Sequence, residues 1–308
     1  MKLTQIFVVV LMFLIVLTLA VSAADAATVK TTQKLQLGST EVNINIYENA
    51  VGANVTFFAP HHNEQTGLNL AKDFVGRNGG RLVEIESNDD KGNPMRYIKF
   101  NYFGKNYSID PNRIYTDNGR SCNTAAEIQP IVKEFADELL KIMLAPDGKT
   151  LRANERFIVA VHNNTDVSAK TATAQNGDLT AVAFLKAQST RNIADGAFEA
   201  QADGVFLSNT ETDEDNFIFL STPFYLGNFA EKGFNVVIQK PLAKLQSKQC
   251  TVDDGSLSVY SGQSAIPYIC LEADAVSGYA RQRQMLETIY ALLQPEPKSI
   301  EPNIAAAK

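Results

Sequence analysis

Short apolar runs alternate with segments of helical periodicity along this chain. Runs rich in Val, Ile and Phe predict strands, whereas apolar residues three and four positions apart predict amphipathic helices. Residues 27–50 alternate weakly and predict an edge hairpin. The predicted helices are 66–78, 124–144 and 279–293. The predicted strands are 55–59, 81–87, 96–102, 105–109, 157–161, 179–185, 217–220, 235–239, 257–260 and 267–271.

This order of elements predicts a single α/β domain over residues 27–294. Strands that are nearly all apolar and alternate with helices favour an α/β/α sandwich with a mixed, mostly parallel sheet. Ligand sites of such sheets lie beyond the carboxyl ends of the strands. Residues 295–308 contain Pro and Ala, and we expect them to form a disordered tail.

The N-terminus has the pattern of a targeting segment. Residues 6–21 form an apolar run that only Thr18 interrupts, and small residues follow it, so we predict a signal peptide over 1–26, cut after Ala23 or Ala26. The alternative is a membrane anchor formed by residues 6–21. That run is short for a span of about 20 residues, so we expect a periplasmic or secreted protein with no stable membrane span after cleavage.

Composition argues against some partners and leaves the pairing of the cysteines undetermined. The chain of 308 residues has a net charge of −6 and no basic tract, which argues against binding nucleic acid or anionic membranes. Three cysteines allow one disulfide at most. Cys250 and Cys270 flank a short turn-like segment, so the two alternatives are a bridge between them or free, buried thiols.

The few histidines fall at the ends of predicted strands. His61 and His62 follow one strand, Glu64 comes next, and His162 ends a later strand. His61, Glu64 and His162 are residue types that bind catalytic zinc, although iron, cobalt or nickel would accept them too. His62 is a poorer partner for Glu64, because a spacing of two points side chains apart in most turns. The alternative for His162 is a satisfied core histidine, or one that is hydrogen-bonded by Asn163 or Asn164.

Two further patterns provide candidate substrate and proton-transfer groups. Asn112 and Arg113 follow an Asp-Pro pair, and an Arg beside an Asn can hold a carboxylate through paired hydrogen bonds. The alternative is an ordinary turn with a surface Arg. Glu272 follows an apolar strand and is a candidate general base, with Asp274 as its rival. The alternative for Glu272 is an edge-strand acid that faces solvent.

Taken in order, these motifs resemble the zinc carboxypeptidase superfamily, which includes the succinylglutamate desuccinylase and aspartoacylase branch. The resemblance covers about residues 50–290, and it implies a phosphorylase/hydrolase-like α/β/α fold. It also implies that zinc binds to His61, Glu64 and His162. It further implies that Asn112 and Arg113 hold the substrate's carboxylate. Glu272 would act first as general base and then as general acid.

The chain also departs from the family pattern. Peptidases of the family often carry Arg inside the His-x-x-Glu motif, where this chain has Asn63, and their Asn-Pro-Asp-Gly loop is not recognisable here. The family usually supplies a second Arg to stabilise the oxyanion, and Arg96 and Arg120 are both candidates. These departures argue against C-terminal exopeptidase specificity more strongly than they argue against metal binding.

The resemblance implies a zinc-dependent hydrolase, a metallopeptidase of the carboxypeptidase or amidase type. Its substrate would be a peptide with a free carboxylate, such as a cell-wall peptide. The alternatives are a deacylase of N-acyl amino acids, an inactive binding protein on the same scaffold, and a surface adhesin suggested by the acidic run 211–215. The sequence is compatible with a monomer, but it determines neither the oligomeric state nor exo- versus endo-cleavage.

Overall fold

The computed structural model describes residues 27–50, 54–164, 202–211, 213, 215–241 and 248–294. The predicted signal peptide, the predicted strand 179–185 and the predicted tail lie outside these residues. The helices of the described residues are α1 (Gln65–Asn78), α2 (Asp117–Asn123), α3 (Gln129–Met143), α4 (Leu226–Ala230), α5 (Leu257–Gln263) and α6 (Tyr279–Leu293). The strands are β1 (Val29–Leu37), β2 (Thr40–Asn49), β3 (Thr56–Ala59), β4 (Gly80–Ile85), β5 (Ile98–Tyr102), β6 (Lys105–Ile109), β7 (Ile158–Asn164), β8 (Ala202–Phe206), β9 (Phe217–Leu220), β10 (Asn235–Gln239) and β11 (Tyr268–Asp274).

Nine of the described strands form one mixed sheet in the order β1-β2-β4-β3-β7-β11-β9-β10-β8. Its centre is parallel, because β3 pairs in parallel with β4 and β7, and β7 pairs in parallel with β11. The predicted edge hairpin is confirmed as β1 and β2, which pair antiparallel at one end of the sheet. The carboxyl ends of β3, β7 and β11 therefore meet at one edge of the sheet, where the predicted site residues lie.

Helices cover both faces of this sheet. On one face, α1 and α6 pack with Phe57 and Val159 into one hydrophobic cluster. On the other face, α3 and α5 pack with Phe58 and Ala160 into a second cluster. Consecutive strand residues thus contribute to opposite cores, as buried strands require. The predicted α/β/α sandwich is confirmed. No helix of the described residues combines the length and the apolar character that a membrane span needs.

Two predicted elements are corrected by the structure. The predicted strand 257–260 is wrong: these residues begin α5, because the hydroxyl of Ser256 caps the helix by accepting the Val259 N–H. The predicted helix 124–144 begins later, at Gln129, after an extended Thr124 and one 3-10 turn. Pro130 is tolerated only in the first turn of a helix, which fixes where α3 starts.

Of the two alternatives for Cys250 and Cys270, the bridge between them is wrong, and the alternative of a buried thiol holds for Cys270 alone. Cys250 is bonded to Cys122 of α2, with the two Cα atoms 5.8 Å apart. Cys270 lies within β11 and faces the core cluster that contains α3. Because Cys250 belongs to a loop that packs on α2, it meets Cys122 rather than the interior of the sheet.

Candidate metal centre

Two neighbouring parallel strands deliver the three predicted metal ligands. β3 is four buried residues long, and Pro60 follows it directly. The chain then turns, with the Glu64 N–H donating to the carbonyl of His61 (3.2 Å), and Glu64 is the residue before α1. His162 lies near the carboxyl end of β7, which pairs with β3. The fold therefore brings residues 98 positions apart to one point.

The carboxylate of Glu64 lies between the two imidazoles. Its Oε1 is 2.7 Å from Nδ1 of His61, and its Oε2 is 2.9 Å from Nδ1 of His162. His61, Glu64 and His162 are buried, with exposed fractions of 0%, 6% and 1%. The three predicted ligands thus converge with one ring nitrogen of each histidine directed at the same carboxylate.

The side chains fit a small divalent cation. Each of the three offers one ligand atom, and these atoms lie within 4.8 Å of one another. Zinc binds imidazole nitrogen at about 2.0 Å, so the ligand atoms of a tetrahedral site lie roughly 3.3 Å apart. The present separations of 2.7 and 2.9 Å would need to widen by only about half an ångström. Two histidines and one carboxylate are also a donor set typical of catalytic zinc sites.

Asp110 is the residue of this centre to which the sequence assigned no role. Its Oδ1 is 2.9 Å from Nε2 of His61 and also accepts the N–H of Asn112 (2.8 Å). A carboxylate on the far nitrogen of a histidine fixes the ring and its tautomer, and directs the other nitrogen toward a metal. Asp110 is thus placed to orient His61 rather than to bind the ion itself.

Replacing Asp110 with asparagine is expected to weaken zinc binding without abolishing it. Loss of such an outer carboxylate typically costs about 10–100-fold in metal affinity. Competition with a chromophoric chelator measures the change. Asp137→Asn, in an exposed ion pair on α3, is the matched control and should keep the wild-type affinity. An unchanged affinity in Asp110→Asn would remove Asp110 from this role.

The centre favours a positive charge in its middle. Burial lowers the pKa of His61, but Glu64 and Asp110 outweigh burial and the opposing charge of Arg96, and raise it to about 9. Burial raises the pKa of the Glu64 carboxyl, yet the imidazoles of His61 and His162 hold it below its usual value. Protons on the imidazoles supply the positive charge in the protein alone, and a divalent cation would supply it when bound.

The two candidate arginines lie in different surroundings. Arg96 reaches the centre, with Nη1 3.0 Å from Oε1 of Glu64 and Nε donating to Asp110 (3.2 Å). Arg120 is buried in α2, where its guanidinium donates to the carbonyl of Ile114 and pairs with Asp117. Of these two, only Arg96 contacts a predicted ligand in the described residues.

Asn112 and Arg113 follow Asp110 and are also buried. Oδ1 of Asn112 accepts the Leu257 N–H (3.0 Å). Arg113 donates from Nη1 to the carbonyl of Asn112 (2.7 Å), and its Nε lies 3.6 Å from Asp254. The surface-arginine alternative is therefore wrong for Arg113.

Glu272 and Asp274 lie on β11 in different environments. Glu272 is buried, pairs in register with His162 on β7, and accepts the thiol hydrogen of Cys270 (3.3 Å). Ligand atoms of His162, Cys270 and Glu272 lie within 4.8 Å of one another. Asp274 instead ends the strand, where it accepts the backbone N–H of Val276 (3.0 Å) and caps the following turn. The solvent-facing alternative for Glu272 is thus wrong.

His62 faces away from this centre into a second ionic cluster. Its Nε2 lies 3.3 Å from Glu84, whose carboxylate also pairs with Lys72 (3.1 Å). Burial raises the pKa of Glu84, but the hydrogen bond from His62 and the charge of Lys72 outweigh burial and lower it to about 2. This separation makes His62 the natural control for substitutions of His61 and His162.

The Glu84 cluster is expected to stabilise the fold down to acid pH. The pKa of Glu84 in the folded protein is depressed below the usual value of about 4.3. The stability that the Glu84 carboxylate contributes is therefore present above that value and is lost as pH falls toward about 2. Glu84→Gln should therefore lower the melting temperature near neutral pH, and the difference from wild type should shrink toward pH 2. Circular dichroism melts across this range measure it, with Glu138→Gln in an exposed α3 pair as control. A difference that does not depend on pH would contradict this origin.

Asn163 has a supporting role that the sequence did not reveal. Its side chain accepts the Gly67 N–H from α1 (2.8 Å) and donates to Gln282 of α6 (3.1 Å), while its backbone N–H donates to Oε2 of Glu64 (3.2 Å). Gln282 also donates to the carbonyl of His162 (2.8 Å). These bonds fix α1, β7 and α6 around the centre. The alternative in which an Asn forms a hydrogen bond to the His162 ring is wrong, because Nδ1 of His162 contacts Glu64.

No protein-family model and no curated protein matches the chain. Solved structures that match include a succinylglutamate desuccinylase/aspartoacylase from Rhodobacter sphaeroides, with 11% identity, 89% of this chain and 67% of that chain covered, and a TM-score of 0.36. The ectoine utilization protein EutE (DoeB) from Ruegeria pomeroyi matches with 11% identity, coverages of 89% and 69%, and a TM-score of 0.40. A variant of the esterase rPPE matches with 12% identity, coverages of 92% and 89%, and a TM-score of 0.30. The first of these descriptions names the branch of the superfamily that the sequence motifs resemble.

Proposed function

We propose that the chain is a zinc-dependent hydrolase that cleaves an amide bond in a peptide bearing a free carboxylate. The observation that carries the proposal is the buried convergence of His61, Glu64 and His162, with Glu272 in register beside His162. This ligand set is typical of zinc sites that keep one position open for chemistry. A bound zinc ion would supply Lewis-acid polarisation of the carbonyl and activation of water.

Glu272 is the proton-transfer group in this proposal. It accepts a proton from the attacking water and then returns a proton to the amine that leaves, so that it ends in its starting state. Asp274 is a poorer candidate, because its carboxylate is engaged in the turn after β11. Arg96 supplies a positive charge beside the centre and stabilises the oxyanion, whereas Arg120 is engaged with Ile114 and Asp117.

Asn112 and Arg113 are the proposed clamp for the substrate's carboxylate. Asn112 and Arg113 lie two and three positions after Asp110, which contacts His61, so the clamp is linked in sequence to the metal centre. A guanidinium provides donors in a planar fork that matches a carboxylate, and an adjacent amide adds another donor. The clamp would hold the free carboxylate while the amide bond lies at the metal.

We also propose that the protein acts in the periplasm or outside the cell, after removal of residues 1–26. The disulfide between Cys122 and Cys250 supports this proposal, because such bonds persist in oxidising compartments.

The test is hydrolysis by the zinc-loaded protein of a panel built in matched pairs. Each peptide is supplied with a free C-terminal carboxylate and as the C-terminal amide, and N-acyl amino acids are supplied as free acids and as methyl esters. Cleavage of the free-acid peptides, with much slower cleavage of their amides, is expected. Cleavage of the acyl amino acids alone would replace the peptidase assignment with a deacylase. No cleavage of any substrate would contradict the proposal.

A further inference from the structure

Residues 250–257, called the clamp loop below, comprise a loop and the first residue of α5, and they pack on the segment carrying Asn112. The loop begins at Cys250, which is bonded to Cys122 at the end of α2. It ends at Leu257, the first residue of α5, whose N–H donates to Oδ1 of Asn112 (3.0 Å). A covalent tether and a contact with the proposed substrate clamp thus lie at opposite ends of one short loop.

The contact at Leu257 determines which end of the Asn112 amide is available as a donor. Because the amide oxygen accepts the Leu257 N–H, the NH2 group is directed to the other side of the side chain. A carboxylate ligand requires donors, so this is the orientation that a carboxylate clamp needs. Asn112 is buried, and its orientation therefore depends on the clamp loop rather than on solvent.

The clamp loop also positions the Arg113 side chain. Asp254 lies 3.6 Å from Nε of Arg113, and Nη1 of Arg113 donates to the carbonyl of Asn112 (2.7 Å). The guanidinium is therefore held between the backbone carbonyl of Asn112 and the loop. Both residues of the proposed clamp take their side-chain orientation from residues 254–257.

The loop and α2 are in direct backbone contact. A Cβ atom on Gly119 would lie 2.0 Å from Cα of Gly255, and Gly255 itself has φ of +81°. The carbonyl of Gly255 accepts the Tyr115 N–H (2.9 Å), and Asp253 accepts a hydrogen bond from Thr116. No side chain separates the two backbones at this point. A displacement of the clamp loop therefore requires a displacement of α2 or the loss of these contacts.

We propose that the disulfide between Cys122 and Cys250 is a positioning element for the substrate's carboxylate. It holds the clamp loop on α2, and the loop in turn orients Asn112 and Arg113. This inference rests on the proposed function, since it assigns a role within the same site. A disulfide that only stabilised the fold would change the melting temperature and leave substrate affinity unchanged.

The test compares the zinc-loaded wild type with Cys122→Ser/Cys250→Ser on a free-acid substrate and on its amide. We expect KM for the free acid to rise about tenfold, the size of effect that follows from weakening hydrogen bonds to a charged group. kcat and zinc content should stay close to those of the wild type. For the amide substrate, which lacks the carboxylate, kcat/KM should be the same in both proteins.

A second measurement covers the case in which the double variant does not fold. Wild-type protein is folded, reduced with a phosphine, desalted and assayed without air, and then reoxidised. The rise in KM should appear on reduction and reverse on reoxidation. An unchanged KM in the double variant or in the reduced protein overturns the inference alone. Absence of any wild-type turnover overturns the proposed function and this inference with it.

Discussion

Replacing Glu272 with glutamine is expected to remove nearly all turnover while the candidate metal centre remains intact. Glu272 pairs in register with His162, so it lies beside a candidate metal ligand on the neighbouring strand. Glutamine has nearly the same shape but cannot accept a proton from water and return it to the leaving amine. Loss of such a group lowers kcat by about 10²–10⁴-fold. Steady-state kinetics and zinc content are measured on the same preparation.

Asp274→Asn is the matched control on the same strand. Asp274 caps the turn after β11, so its replacement should lower stability more than catalysis. Turnover close to the wild-type rate in Glu272→Gln would remove Glu272 from the base role. Loss of turnover in Asp274→Asn, with fold and zinc retained, would move that role to Asp274.

Zinc is expected to raise the melting temperature of the wild type and to leave that of His162→Ala unchanged. A ligand that binds only the folded state, at 100 times its dissociation constant, stabilises the fold by about 2.7 kcal/mol. For a chain of this size, that corresponds to a shift of roughly 5 °C or more. His162 supplies one of the nitrogens that face Glu64, so its removal leaves two ligands. Differential scanning fluorimetry with and without zinc measures the shift.

His62→Ala separates metal binding from the general effect of losing a histidine. His62 is adjacent to His61 in sequence, but its ring contacts Glu84 and the carbonyl of Ser87. Its removal should lower the melting temperature and preserve the zinc-dependent shift. A shift that persists in His162→Ala, or that disappears in His62→Ala, would show that zinc binds at another place.

Much of the fold could be predicted because long elements carry strong periodicity. The helix predicted at 279–293 has the bounds of α6, and the helix predicted at 66–78 starts one residue after α1 begins. The segment Leu257–Gln263 could not be assigned correctly, because its first four residues alternate like a strand. What makes it a helix is the Ser256 cap, a local contact that periodicity does not report.

The convergence of the three candidate metal ligands was predictable from their position, and their supporting residues were not. His61 follows one buried strand, His162 lies near the end of another, and parallel neighbours bring such ends together. Arg96 and Asp110 flank the observed hairpin of β5 and β6, and the pairing of Ile98 with Ile109 brings the two flanks together. That pairing was the available signal for the contact between Arg96 and Asp110.

The disulfide could not be chosen from the sequence. Cys122 and Cys250 are 128 positions apart, and their proximity depends on the packing of the clamp loop on α2. The contact between Gly119 and Gly255 is part of that packing. Contacts of this kind arise from tertiary structure and leave no spacing pattern along the chain.

The most direct test of the account is metal content by elemental analysis of the purified protein lacking residues 1–26. The same measurement is made on His162→Ala and His62→Ala. The account predicts about one zinc ion per chain in the wild type and in His62→Ala, and almost none in His162→Ala. A wild type without metal, even after zinc is supplied, would contradict the metal centre and favour a binding protein on this scaffold.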